Sequence, residues 1–142
     1  NKNENIYAQS VIKKFNNIGS QANFYGFKDH DFVEAKMKST SIILIPSIWQ
    51  EPFGLVAAEA MSNGVAVIAS KVGGIPEILK DNGILIENLN SKNFEKALVE
   101  LIENEEKRKL LQRKSWKNFV FFSSFSSKKL DEFRQLILKD YF

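Results

Sequence analysis

The chain has 142 residues, 44% of them hydrophobic and 26% charged, with a formal net charge of +3. That is one domain's worth of chain with the composition of an ordinary soluble globular protein, long enough to bury a core. It holds no apolar run that could span a bilayer, no signal-peptide pattern at its start and no cysteine, which excludes disulfides and thiolate metal sites and fits a reducing cytoplasm. The slight basic excess is spread among glutamates, as in ENEEKRK at 103–109, and reads as a solvated helix face rather than a nucleic-acid or membrane surface. No DNA- or RNA-binding motif is present.

Taken in order, residues 4–17 carry Ile6, Val11, Ile12 and Phe15 at helical spacing, and Ile18-Gly19-Ser20 ends that helix. Ala22 to Tyr25 reads as a strand closed by Gly26. Asp29 to Lys38 reads as a short helix with Asp29 as N-cap and Phe32, Val33 and Met37 as its buried stripe. His30, the one histidine, sits in a charged turn without a second ligand and reads as a surface or capping residue. Ser41 to Ile45, SIILI, is an apolar β-branched run that suits a strand buried on both faces of a parallel sheet, and Pro46 terminates it. Val65 to Ala69, VAVIA, is the next buried strand, and Gly64 before it is placed to end a helix. Lys71 to Gly74 forms a Gly-rich turn, with Pro76 and Glu77 in the first turn of a short helix. Gly83 to Ile86 is a fourth strand. Helices follow from Ser91, with Phe94, Leu98, Leu101 and Ile102, and over 105–120, with Leu110, Leu111 and Trp116. FFSSFSS at 121–127 is a break, and 128–141 carries a last helix with Leu130, Phe133, Leu136 and Ile137. The order α-β-α-β-α-β-α-β-α-α-α predicts an α/β fold, a Rossmann-like parallel sheet with helices on both faces and a helical C-terminal part from about residue 91 to 142.

The chain is organised around 47–62, SIWQEPFGLVAAEAMS. Pro52 and Gly54 hold off a helix until about Leu55. Glu51 therefore lies in the loop and Glu59 on the second turn of a helix over 55–63. Between the two carboxylates lies the helix N-terminus, whose unpaired N–H groups and partial positive charge suit a diphosphate. The carboxylates accept hydrogen bonds from hydroxyls on either side. A ligand with a phosphate middle and two hydroxyl-bearing ends is a nucleotide-sugar. The blander reading of the pair is charge complementarity at a helix N-terminus. In the loop, Trp49 is expected to pack as an anchor rather than serve as a sugar platform.

Glu51, Phe53, Gly54, Glu59, Ala60, Met61, Gly64, Gly73, Gly74 and Glu77 fit the pattern E-x-F-G-x-x-x-x-E, then A-M-x-x-G, then G-G-x-x-E. That string resembles the retaining glycosyltransferases of the GT-B fold, the group 1, family 4-like enzymes related to glycogen synthase and sucrose synthase. The strong resemblance covers about thirty residues, and a weaker one runs from roughly Asn23 to Leu111.

The resemblance implies that the chain, residues 1–142, is part of a C-terminal nucleotide-sugar-binding domain, with the acceptor-binding N-terminal domain absent. It implies transfer of a hexose from a nucleotide-diphosphate sugar to an acceptor glycan or lipid, in polysaccharide biosynthesis and without a metal. The expected place is the cytoplasm or the inner face of the membrane, reached through the part not in this chain. Glu51, the candidate catalytic residue, would accept from donor-sugar hydroxyls; a nucleophilic role is open to it chemically, and positioning is the favoured one. Backbone N–H groups of Phe53, Gly54 and Leu55 would meet sugar and phosphate, and Glu59 the ribose. Gly26-Phe27 would lie beside the base or form a plain turn. Gly73, Gly74 and Glu77 would form a second donor loop, unless Glu77 merely caps its own helix.

The family's diphosphate-clamping Arg and Lys have no counterpart here, since Lys71 and Arg108 stand outside the matching context, so the chain alone is expected to be inactive. In the family two further strands lie between those matched at 22–25 and 41–45. Either a longer natural protein supplies them, or the flanking strands pair directly, or a second copy fills the edge. A GT-B-like nucleotide-sugar epimerase and a non-catalytic domain that kept the fold are the alternatives.

Overall fold

Three of the four expected strands form, and they lie side by side in a parallel sheet of order β1-β2-β3. They are β1 (Ile42–Ile45), β2 (Ala66–Ser70) and β3 (Ile84–Ile86) in a computed structural model that describes residues 2–119. The helices are α1 (Lys2–Ile18), α2 (His30–Lys38), α3 (Leu55–Ser62), α4 (Ile75–Leu79), α5 (Ser91–Glu103) and α6 (Glu105–Asn118), with a 3-10 turn at Gly19–Gln21 after α1. The break expected at 121–127 and the helix expected at 128–141 lie outside the described residues. The chain divides into two units, Asn1–Val33 and Glu34–Phe142, and the boundary falls inside α2.

In the first unit Phe15 meets Phe24 with ring centroids 5.7 Å apart, and Tyr25 meets Phe32 edge-on at 5.1 Å. Asp29 caps α2 as expected, its Oδ1 accepting from Phe32 N–H at 2.9 Å. The strand expected at 22–25 does not form. Ala22 is extended, but the segment joins no ladder, and Phe24 and Tyr25 are exposed. The segment has no β-branched residue, and Asn23 in its middle disfavours a strand. On α1, Phe15 and Val11 are half-buried, whereas Ile6 and Ile12 are exposed.

In the second unit the parallel register runs Ile42↔Ala66 to Ile45↔Ala69, and Ile68↔Ile84 to Ser70↔Ile86. Alternation along each strand sorts the side chains to two faces. Ile45, Val67 and Ala69 pack with Ala57, Ala58, Ala60 and Met61 of α3, with Ile75, Ile78 and Leu79 of α4, and with Met37 of α2. Ala66, Ile68 and Ile86 pack on Ala97 and Leu101 of α5 and Leu111 of α6. Helices on both faces explain the continuous apolar runs, and β2 is buried at every position. β1 departs from the expectation of burial on both faces: Leu44 is 40% exposed, because β1 is an edge strand among the described residues. The alanines let α3 lie close on the sheet.

Asn104 closes α5 with its N–H to Glu100 O and opens α6 with its side chain accepting from Lys107 N–H at 2.9 Å. Ile102, Leu110 and Trp116 were expected on buried stripes and are exposed; the faces that pack are 94-97-98-101 on α5 and 111-115 on α6. On α2, Met37 is buried and Val33 is exposed.

Candidate functional site

Two loops leave the C-terminal ends of neighbouring strands, 46–54 after β1 and 71–74 after β2, and both lead into helices. Open α/β sheets bind ligands at this edge. The first loop reaches α3 through Gly54, whose φ of +86 is one that side-chain-bearing residues rarely adopt. A Cβ there would also stand 3.0 Å from Ile75 Cγ1. Gly54 O accepts from the amides of Ala57 and Ala58, and Gly54 has no side chain to cap the helix. No hydrogen bond to the amides of Leu55 and Val56 is found among the described residues. The start of α3 is thus an open N-terminus with donors to spare.

Glu51 is half-buried and held at three points. The Ser47 hydroxyl donates to its carboxylate. Its own N–H donates to Trp49 O at 2.9 Å, and its carbonyl accepts from Gly74 N–H at 2.7 Å. Glu59, four residues beyond Leu55, lies on the same side of α3 about 6 Å further along the axis. It is also half-buried, and no partner engages its carboxylate among the described residues. One carboxylate is oriented by the loop; the other is left available.

The second loop packs on the first, backbone to backbone. A Cβ on Gly73 would come within 2.1 Å of Glu51 O, and one on Gly74 within 2.6 Å of Pro52 O. Gly73 N–H donates to Gln50 Oε1 at 2.8 Å. Both glycines are therefore required by close approach to the first loop. Glu77 is exposed in the first turn of α4.

Trp49 corrects its expectation: the indole is 73% exposed. The loop is anchored by Ser47, Gln50 and the glycine turn instead, and the tight turn from Trp49 O to Glu51 N–H leaves the ring outside. Phe53 is 44% exposed. Gly26 and Phe27 belong to the first unit, where Gly26 has φ +64 and the Phe27 ring is fully exposed. His30 is exposed at the start of α2.

Neither cation set aside by the sequence reading lies free at this edge. Lys71 pairs with Glu87 and Arg108 donates to Leu101 O at 2.8 Å, closing the end of α5. Among the described residues no three His, Cys, Asp or Glu side chains are grouped as metal ligands, and no helix is long and apolar enough to cross a membrane. Ser47 and Gln50 are the site residues whose roles the sequence did not display. Their one signal is their place in the S-x-x-Q-E string before Pro52.

The family model for glycosyl transferases group 1 matches residues 3–118. The chain belongs to that family. An uncharacterized glycosyltransferase of Methanocaldococcus jannaschii is 42% identical over 103 residues, 71% of this chain and 28% of that protein. The chain thus spans little more than a quarter of that relative's length. The C-terminal domain of a group 1 family glycosyl transferase from Francisella tularensis superposes with a TM-score of 0.69 at 29% identity, covering 78% of this chain and 59% of that one. Anabaena HepE, solved in complex with UDP-glucose, superposes with a TM-score of 0.77 at 22% identity, covering 93% of this chain and 38% of that one, a likeness of fold. The α/β fold of this group 1 chain is that of the GT-B glycosyltransferases.

Proposed function

We propose that this chain is the donor half of a retaining glycosyltransferase, the C-terminal nucleotide-sugar-binding domain of an enzyme whose preceding domain binds the acceptor. The observation that carries the reading is the open N-terminus of α3 flanked by an oriented Glu51 and an unengaged Glu59. The donor is a hexose on a nucleoside diphosphate, in keeping with the UDP-glucose held by Anabaena HepE. The acceptor is a glycan or lipid, and the setting is cytoplasmic polysaccharide synthesis.

In this reading the diphosphate lies on the amides of Phe53, Gly54 and Leu55, where the helix dipole stabilises negative charge. That charge grows as the glycosidic bond breaks, so donors already aimed at the leaving phosphate favour the transition state over the ground state. Glu51 accepts hydrogen bonds from hexose hydroxyls and fixes the anomeric carbon relative to the acceptor. Glu59 accepts from the ribose hydroxyls. Gly73 and Gly74 build the wall behind Glu51, and Glu77 stands in the first turn of the helix that follows them. The reaction runs without a metal, its leaving group being stabilised by the helix and by a basic pair supplied outside this chain. Titrating UDP, ADP and GDP and their glucose and mannose conjugates into the intact protein tests the reading. One nucleoside diphosphate binding in the micromolar range, together with its sugar conjugate, is the expected result; binding of none would refute it.

A further inference from the structure

The two site loops are joined by a pair of adjacent hydrogen bonds of different kinds. Gly74 N–H donates to the main-chain carbonyl of Glu51 at 2.7 Å. One residue earlier on each loop, Gly73 N–H donates to the side-chain carbonyl of Gln50 at 2.8 Å. Consecutive residues of one loop thus grip consecutive residues of the other. A single bond is an axis about which the loops can turn; a second beside it removes that freedom. A Cβ on Gly73 would fall 2.1 Å from Glu51 O, so the two main chains lie close there, while the Gly73 amide takes its acceptor from a side chain. An acceptor on a side chain of glutamine length reaches its amide.

We propose that Gln50 is a positioning residue that locks the glycine turn 73–74 to the loop carrying Glu51, so that the donor site is assembled before ligand arrives. Ser47 fixes the Glu51 carboxylate from one end of the loop, and Gln50 fixes the main chain that bears it from the other. Gln50 acts through the backbone and does not touch the ligand. Its catalytic effect rests on the glycosyltransferase reading; its mechanical effect does not. Loosening the clasp lowers the fraction of molecules with Glu51 aligned, which lowers turnover while sparing a nucleoside diphosphate that meets α3 and Glu59.

The test compares intact wild-type protein with Gln50→Met, which keeps length but loses the acceptor, and Gln50→Glu, which keeps an oxygen at the same reach. Amide hydrogen exchange is read on the peptide containing Gly73 and Gly74 without ligand, alongside the melting temperature, the Kd for UDP, and kcat and KM for hydrolysis of UDP-glucose. Gln50→Met should speed exchange at the two glycines about tenfold and lower kcat by about five- to tenfold, with UDP affinity within about twofold and the melting temperature unchanged. Gln50→Glu should restore both. Unchanged exchange in Gln50→Met, faster exchange throughout the chain with a lowered melting temperature, or no rescue by Gln50→Glu would overturn the proposal. A wild-type protein that neither binds UDP nor hydrolyses UDP-glucose would refute the reading for that donor, while the exchange measurement still decides the clasp.

Discussion

Glu51 and Glu59 differ in what the fold has already done with them. The Ser47 hydroxyl holds the Glu51 carboxylate, whereas Glu59 is engaged among the described residues through its main-chain carbonyl, by Ser62 and Asn63, and not through its carboxylate. Glu59→Ala should weaken nucleoside diphosphate and nucleotide-sugar together by about 1.5–3 kcal/mol, the usual loss for a hydrogen bond to a charged group. Glu51→Ala should leave nucleoside diphosphate affinity unchanged and lower turnover. Calorimetry and steady-state kinetics on the intact protein separate the two, and equal losses of diphosphate affinity would contradict the division of roles. Both carboxylates were legible in the sequence because their spacing across a loop-to-helix junction survives any reasonable placement of the helix start. The exposure of Trp49 and the role of Gln50 are not legible in the sequence, for one reason. Which loop side chain anchors and which is left outside depends on the path of the backbone between Pro46 and Gly54, and no periodicity encodes that path.

At the scale of elements, the loop after β2 is as constrained as the helix it precedes. Gly73→Ala places a Cβ at φ +53 against the Glu51 carbonyl. A destabilisation of about 2 kcal/mol or more in urea titration is expected, with the Glu51 loop displaced. Asn104 serves the end of α5 and the start of α6, so Asn104→Ala should cost about 1 kcal/mol. The Lys114 ammonium donates to Asp81 at 3.0 Å and holds that carboxyl below its ordinary value of 3.8. A lowered folded-state value means that this link of α6 to the turn before β3 contributes at pH above 3.8 and is lost as pH falls through the folded value. The small stability difference between wild type and Lys114→Ala should therefore be present at neutral pH and vanish in strong acid. Strands β1 to β3 were legible because burial on two faces writes continuous apolar runs. The segment 22–25 lacks such a run: its aromatic pair suggests a strand, but Asn23 interrupts it, and pairing is a property of two strands that the sequence of one does not show.

For the whole molecule, the second unit has its core between α3 and α4 on one face of the sheet and α5 and α6 on the other. The edge of β1 that stays unpaired among the described residues, with Leu44 40% exposed, is the feature least suited to a protein standing alone. The chain produced by itself should self-associate through that edge, with a weight-average mass that rises with concentration in sedimentation, whereas the intact protein should not. A crystal structure of the intact protein with the nucleoside diphosphate that binds it would show whether α3 opens onto that ligand between Glu51 and Glu59. Phosphate oxygens within hydrogen-bonding distance of the Gly54 and Leu55 amides, and both ribose hydroxyls on the Glu59 carboxylate, are expected. A nucleotide bound elsewhere, or bound there with Glu59 turned away from the ribose, would contradict this placement.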